Sequence, residues 1–144
     1  MSILRDVLLE APKGASGTLV GQSALWRLGF THGIIYDIQL TTLYPDINRC
    51  QVGNVIYYFS PISDRDEFID YSVGCIRVPT RERALFEAMM LRDTVTEDIL
   101  LESLIDFGLN NVNKLYAVCD VFCPSFKANV DYWVNEALDY EDDP

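Results

Sequence analysis

The sequence predicts an α+β fold in a single domain, and three observations predict it. Strongly β-prone runs fill the first half and stop at Pro79, turn-forming residues punctuate them, and only helical periodicity follows Thr80. The expected body is a small mixed or antiparallel sheet over residues 34–78, with N-terminal helices and a C-terminal helical group. A chain of 144 residues with 49% hydrophobic content is long enough to bury one core. Neither a repeat nor a linker divides residues 1–144, and the acidic tail over residues 139–144 is expected to fray.

In order, residues 2–9 predict a short helix with Ile3, Leu4, Val7 and Leu8 on one face, broken by Pro12, Gly14 and Gly17. Ser23 to Leu28 predict a second helix whose inner face is Leu25 and Leu28 with Ala24 beside them, stopped at Gly29. Ile34 to Thr42 alternate as a strand, with Ile34, Tyr36, Ile38 and Leu40 on one face. Tyr44-Pro45-Asp46 is a turn, residues 48–51 a short strand, and Gly53-Asn54 a tight turn into the β-prone run Val55–Phe59. The charged stretch Asp64, Arg65, Asp66, Glu67 reads as a solvated loop entering one strand over residues 71–78.

Thr80 is placed to cap a helix, because its hydroxyl can accept from the free amides of the first turn. Leu85, Ala88 and Met89 form the apolar seam of that helix, and Arg83 with Glu87 makes a weak i,i+4 pair. Thr94 with Glu97 has the spacing of a capping box for a helix carrying Val95, Ile99, Leu100, Leu104 and Ile105, ending near Gly108. A further helix starts at Asn110 or Asn111 with Leu115, Val118, Cys119 and Phe122 inward, and Pro124 ends it. Ser125 is read as the cap of the last helix, whose inward stripe is Phe126, Val130, Trp133, Val134, Ala137 and Leu138.

Charge narrows the function classes. Eleven basic residues against 22 acidic ones give a net charge of −11, with no basic run to neutralise phosphates, so direct nucleic-acid binding is not expected. No apolar window is long enough to span a membrane, and Arg5, Asp6 and Glu10 interrupt the apolar core that a secretion signal needs. The expected compartment is the cytoplasm. The four cysteines are read as free thiols, Cys50 and Cys75 as buried small hydrophobes in strands, and Cys119 with Cys123 as one half of a metal site at most.

Candidate chemistry is sparse. His32, the only histidine, lies in a Thr-His-Gly turn, and the GASGTLVG segment lacks the Lys-Ser/Thr of a phosphate loop. Asp37 is the only strand-borne acid in an apolar setting; a metal-dependent nuclease site would need a second acid and a lysine on the next strand, which VIYYF does not carry. No catalytic residue, metal site or cofactor is therefore assigned. Arg77, Arg81 and Arg83 gather around Pro79 with Glu82. One reading is structural, Glu82 complementing the helix dipole; the other is an anion or partner contact.

SALWRLGF, a turn, and a strand ending in Thr resemble the S-A-L-x-x-h-G-L helix of the abortive-infection antitoxins of the AbiEi family. VPTRERALFEAM resembles that family's V-x-x-x-E-R-A-L block, and TEDILLESL and NKLYAV agree with its later part, so the likeness covers residues 19–120. It implies the C-terminal antitoxin domain, with Ser23, Ala24, Leu25, Gly29, Glu82, Arg83, Ala84 and Leu85 at the pattern positions, serving packing and capping. It also implies a nucleotidyltransferase-like toxin as the protein counteracted. The family's DNA-binding winged helix has no counterpart in residues 1–18, so the expectation is a fragment or a standalone relative. The alternative is an acidic interaction or inhibitor protein of a phage or mobile element.

Overall fold

The computed structural model describes residues 15–32 and 37–142. The helix read over residues 2–9 and the strand positions Ile34 and Tyr36 lie outside the described residues. The fold is α+β, as expected, with two small mixed sheets and five α-helices among the described residues. The strands are β1 Gly17–Thr18, β2 Ile38–Thr42, β3 Cys50–Val52, β4 Val55–Phe59, β5 Ile69–Val73 and β6 Ile76–Pro79. The helices are α1 Gly21–Arg27, α2 Arg81–Met90, α3 Glu97–Phe107, α4 Val112–Phe122 and α5 Lys127–Asp142.

One sheet has the order β1-β6-β5, the other β2-β4-β3, and each combines a parallel with an antiparallel pair. A single antiparallel bridge between Leu19 and Leu40 joins them, helped by the Val20 amide donating to the Gln39 carbonyl at 3.0 Å. Gly17, expected only to break a helix, makes this join sterically possible. It belongs to β1 at φ 137°, and a Cβ there would stand 2.3 Å from the Thr41 carbonyl oxygen.

Residues 71–78 are not one strand. Gly74, at φ 61°, reverses the chain, so β5 and β6 form a hairpin across Gly74-Cys75. Cys75 is therefore exposed at a turn, and Cys50 is exposed on β3. Both had been expected inside, because a local apolar context does not reveal which strands lie at an edge.

Thr80 caps α2 as expected, its hydroxyl accepting from the Arg83 amide at 3.4 Å. The helix is more central than a one-sided seam implies: every residue from Arg83 to Met89 is buried. It packs against α1, α3, α4 and α5, so no face is left for solvent along most of its length. Two expected caps move. The cap of α3 is Thr96, which accepts from the Ile99 amide, while Thr94 is buried in the preceding 3-10 turn and donates to the Leu91 carbonyl. Ser125 lies inside the 3-10 turn Pro124–Phe126 that leads into α5 and caps nothing there; its hydroxyl faces the Cys123 sulfur at 3.4 Å. Leu138 is 43% exposed, since Val130 and Ala137 set the buried line of α5 and Leu138 falls off it. The helix continues through Asp142, with the Tyr140 hydroxyl donating to Glu102 of α3 at 3.1 Å.

Candidate interaction surface around the arginine junction

The strand-to-helix junction at Pro79 sends its three arginines to different places. Arg83 is 0% exposed. Its Nε donates to Glu87 Oε1 at 2.8 Å, Nη1 to the carbonyls of Arg65 and Glu67 at 2.7 and 2.8 Å, and Nη2 to the Ile62 carbonyl at 2.9 Å. The guanidinium also lies over the Phe122 ring at 4.9 Å. The pair read as a weak i,i+4 contact is thus a fully buried clamp that fastens the loop over residues 62–67 to α2. The charged stretch Asp64–Glu67 within it is exposed apart from the half-buried Arg65, as expected of a solvated turn, while Ile62 and Ser63 before it are buried.

Glu87 is the less satisfied partner. Its Oε2 is buried without a hydrogen-bond donor among the described residues. Burial raises the carboxyl pKa, and the charge and hydrogen bond of Arg83 act in the opposite direction. On the outer side of the loop, Glu67 is exposed and accepts two hydrogen bonds from Arg65. These bonds first, and its own backbone amide second, hold the Glu67 carboxyl down at about 2.

Arg77 holds the same loop from β6, donating to the Ser63 carbonyl and to the Thr18 hydroxyl at 3.2 Å, with Asp66 at 3.6 Å. It lines a shallow notch of about 250 Å³ with Ser16, Thr41, Tyr44 and Asp64. Arg81 points elsewhere. It is half exposed, pairs with Asp106 of α3 at 3.4 Å and stacks over Phe30 at 4.2 Å. The three guanidinium groups therefore do not converge on one anion; each is spent on a separate internal or inter-element contact.

The remaining pattern positions are architectural. Ala24, Leu25, Ala84 and Leu85 are fully buried in the core. Ser23 joins α1 to β2: its hydroxyl donates to the Asp37 carbonyl at 3.1 Å and accepts from the Gln39 amide at 3.0 Å, while the Gln39 side chain accepts from the Ser23 amide at 2.9 Å. Gln39, which no sequence motif singled out, continues the network by donating to the Thr94 carbonyl at 2.9 Å. Gly29 follows α1 at φ 86°, and Glu82 sits in the first turn of α2. Asp37 accepts from the Gln51 side chain at 3.2 Å, and His32 is exposed. Among the described residues, no group of three or more His, Cys, Asp or Glu stands together as metal ligands.

What sequence reading missed is on the surface. Leu43, Tyr44, Ile47 and Val52, all within ten residues, are exposed large apolar side chains, Tyr44 to 66%. Val52 belongs to β3 and the other three precede it; all three residues of β3 are exposed, and it is an edge strand of its sheet. The signal was present as apolar residues on both sides of the Pro45 turn, but burial could not be read from it. No helix of the described residues is long and apolar enough to cross a membrane. No family model matches the chain, and neither does any of the curated proteins compared with it, so the likeness to the abortive-infection antitoxins rests on its motifs alone.

Proposed function

We propose that the chain is an antitoxin-like regulatory module of a bacterial toxin–antitoxin (abortive-infection) system. On this reading it works in the cytoplasm, without catalysis of its own, and counteracts a nucleotidyltransferase-like toxin. The motif order over residues 19–120 supports the family assignment. The observation that carries the mode of action is the use made of the pattern residues: Ser23, Arg83 and their neighbours hold elements together, so the outer surface is what remains to meet another molecule. Co-expression with a nucleotidyltransferase-like toxin from the neighbouring gene tests it. Restored growth is expected; continued arrest with folded chain present in the cell overturns the proposal.

A second reading, an acidic inhibitor of a phage or mobile element, draws on the 22 acidic against 11 basic residues. It is separated by affinity capture with this chain as bait, which on that reading recovers a basic protein unrelated to nucleotidyltransferases. A divergent nuclease centred on Asp37 is the weakest reading, because among the described residues the side-chain hydrogen bond of that carboxylate is to an amide and no second acid or lysine stands with it on the paired strand β4. Divalent-metal-dependent cleavage that disappears in Asp37→Ala is the result that would revive it.

A further inference from the structure

Among the described residues no strand pairs with the outer edge of β3. Natural sheets blunt their edges with shortness, charge, proline or a covering element, because unpaired backbone amides and carbonyls invite another strand; β3, at three residues, has the first of these. Here the strand itself, Cys50-Gln51-Val52, carries no charge and no proline, and all three residues are exposed. Register places Val52 opposite Val55 and Cys50 opposite Tyr57, so the side chains of Cys50 and Val52 share one face of the sheet. Ile47 lies just before this edge, while Leu43 and Tyr44 follow β2, the opposite edge strand beyond β4, at the end of the sheet where β3 begins.

The charges around the edge choose between occupants. Asp37 lies at the Val52 end, bonded to Gln51, and Asp46 lies in the turn at the Cys50 end. Asp64 lines the notch beside Leu43 and Tyr44 together with Arg77, and Asp93 lines the hollow beside Asn48 together with Arg92. Asp46, Asp64 and Asp93 make no salt bridge among the described residues, and Arg49 is the one cation within the tract. A second copy of the chain pairing antiparallel through β3 would bring together two bodies of net charge −11, with Asp46 and Arg49 of each copy both near Asp37 of the other, so the repulsion comes from the body charge. A basic strand meets the same carboxylates favourably.

We propose that β3 is a docking edge that receives an extended, apolar-centred segment of a partner protein flanked by lysine or arginine. The main chain of that segment continues the sheet, its apolar side chains cover Ile47 and Val52, and its basic residues face Asp37 and Asp46. This rests on the reading of the chain as an interaction module and names the surface and partner chemistry for it.

The test uses two synthetic peptides of alternating valine and threonine, one flanked by lysines and the other by glutamates, titrated into the whole chain and followed by amide chemical shifts. The lysine-flanked peptide is expected to shift the amides of residues 43–52 and of β4, and the glutamate-flanked one to bind at least about tenfold more weakly. Ile47→Lys and Val52→Lys, both at exposed positions and checked for unchanged circular dichroism, are expected to weaken the lysine peptide by a similar factor. Equal binding of the two peptides, shifts centred elsewhere, no binding of either, or self-association that Val52→Lys abolishes would each overturn the proposal. Growth rescue keeps the two ideas apart. Rescue retained by Ile47→Lys and Val52→Lys sinks the docking edge alone, whereas peptide binding without rescue by the wild-type chain sinks the antitoxin reading alone.

Discussion

Arg83 and Glu87 form an ion pair removed from water, and such pairs are sensitive to the loss of one member. Arg83→Met leaves Glu87 without its cation and frees three loop carbonyls, so unfolding free energy should fall by about 3–5 kcal/mol, measured by urea denaturation. Arg83→Met combined with Glu87→Leu should recover part of that loss by removing the stranded carboxyl. It should not recover all of it, because the carbonyls of Ile62, Arg65 and Glu67 remain without their donor. The pH dependence has a definite sign. A carboxyl raised above its ordinary 4.5 contributes stability that is complete below 4.5 and is lost as pH rises through the folded value. The stability difference between wild type and Glu87→Gln should therefore move in favour of wild type as pH is lowered from neutral. Glu67 runs the other way, its contribution present above 4.5 and lost as pH falls toward about 2, but it is common to both proteins and cancels in the comparison. An i,i+4 Arg–Glu spacing was legible in the sequence; its burial was not, since that depends on a loop about twenty residues upstream folding back over α2.

At the scale of elements, boundaries carried by local chemistry were readable and those set by tertiary packing were not. Pro79 followed by Thr80 marks the end of β6 and the start of α2 with residues that act only on their neighbours. The two-residue β1 has no propensity signal; it exists because β6 and β2 lie on either side of it. Gly17→Ala should accordingly cost much more stability than Gly29→Ala. Both positions have positive φ, but a Cβ at Gly17 meets the Thr41 carbonyl at 2.3 Å, while one at Gly29 meets nothing within 4 Å. Thermal midpoints of the two variants compare them directly, with Gly29→Ala near the roughly 1–2 kcal/mol of left-handed strain alone. Between α4 and α5, burial first and the hydrogen bond to Asp131 second push the Tyr116 phenol up to about 12. Asp131→Asn should bring its ionisation, followed by phenolate absorbance, back toward 10.

For the whole molecule, one core serves two joined sheets and the helical group, with α2 at its centre. The class α+β was legible because β-prone and helix-periodic residues occupy separate halves of the chain. The candidate site was not, because an exposed apolar tract and a buried one look alike in one dimension. In this architecture the arginines of the junction maintain the body while the β3 edge and its apolar flank face outward. The measurement that tests this division of labour most directly is growth of cells co-expressing the proposed partner, a nucleotidyltransferase-like toxin, with Arg81→Ala, Val52→Lys or wild-type chain, each confirmed as folded and equally abundant. Arg81→Ala should protect as wild type does, and Val52→Lys should not. Loss of protection in Arg81→Ala with full protection by Val52→Lys would contradict the account, since it would place the action at the junction rather than at the edge.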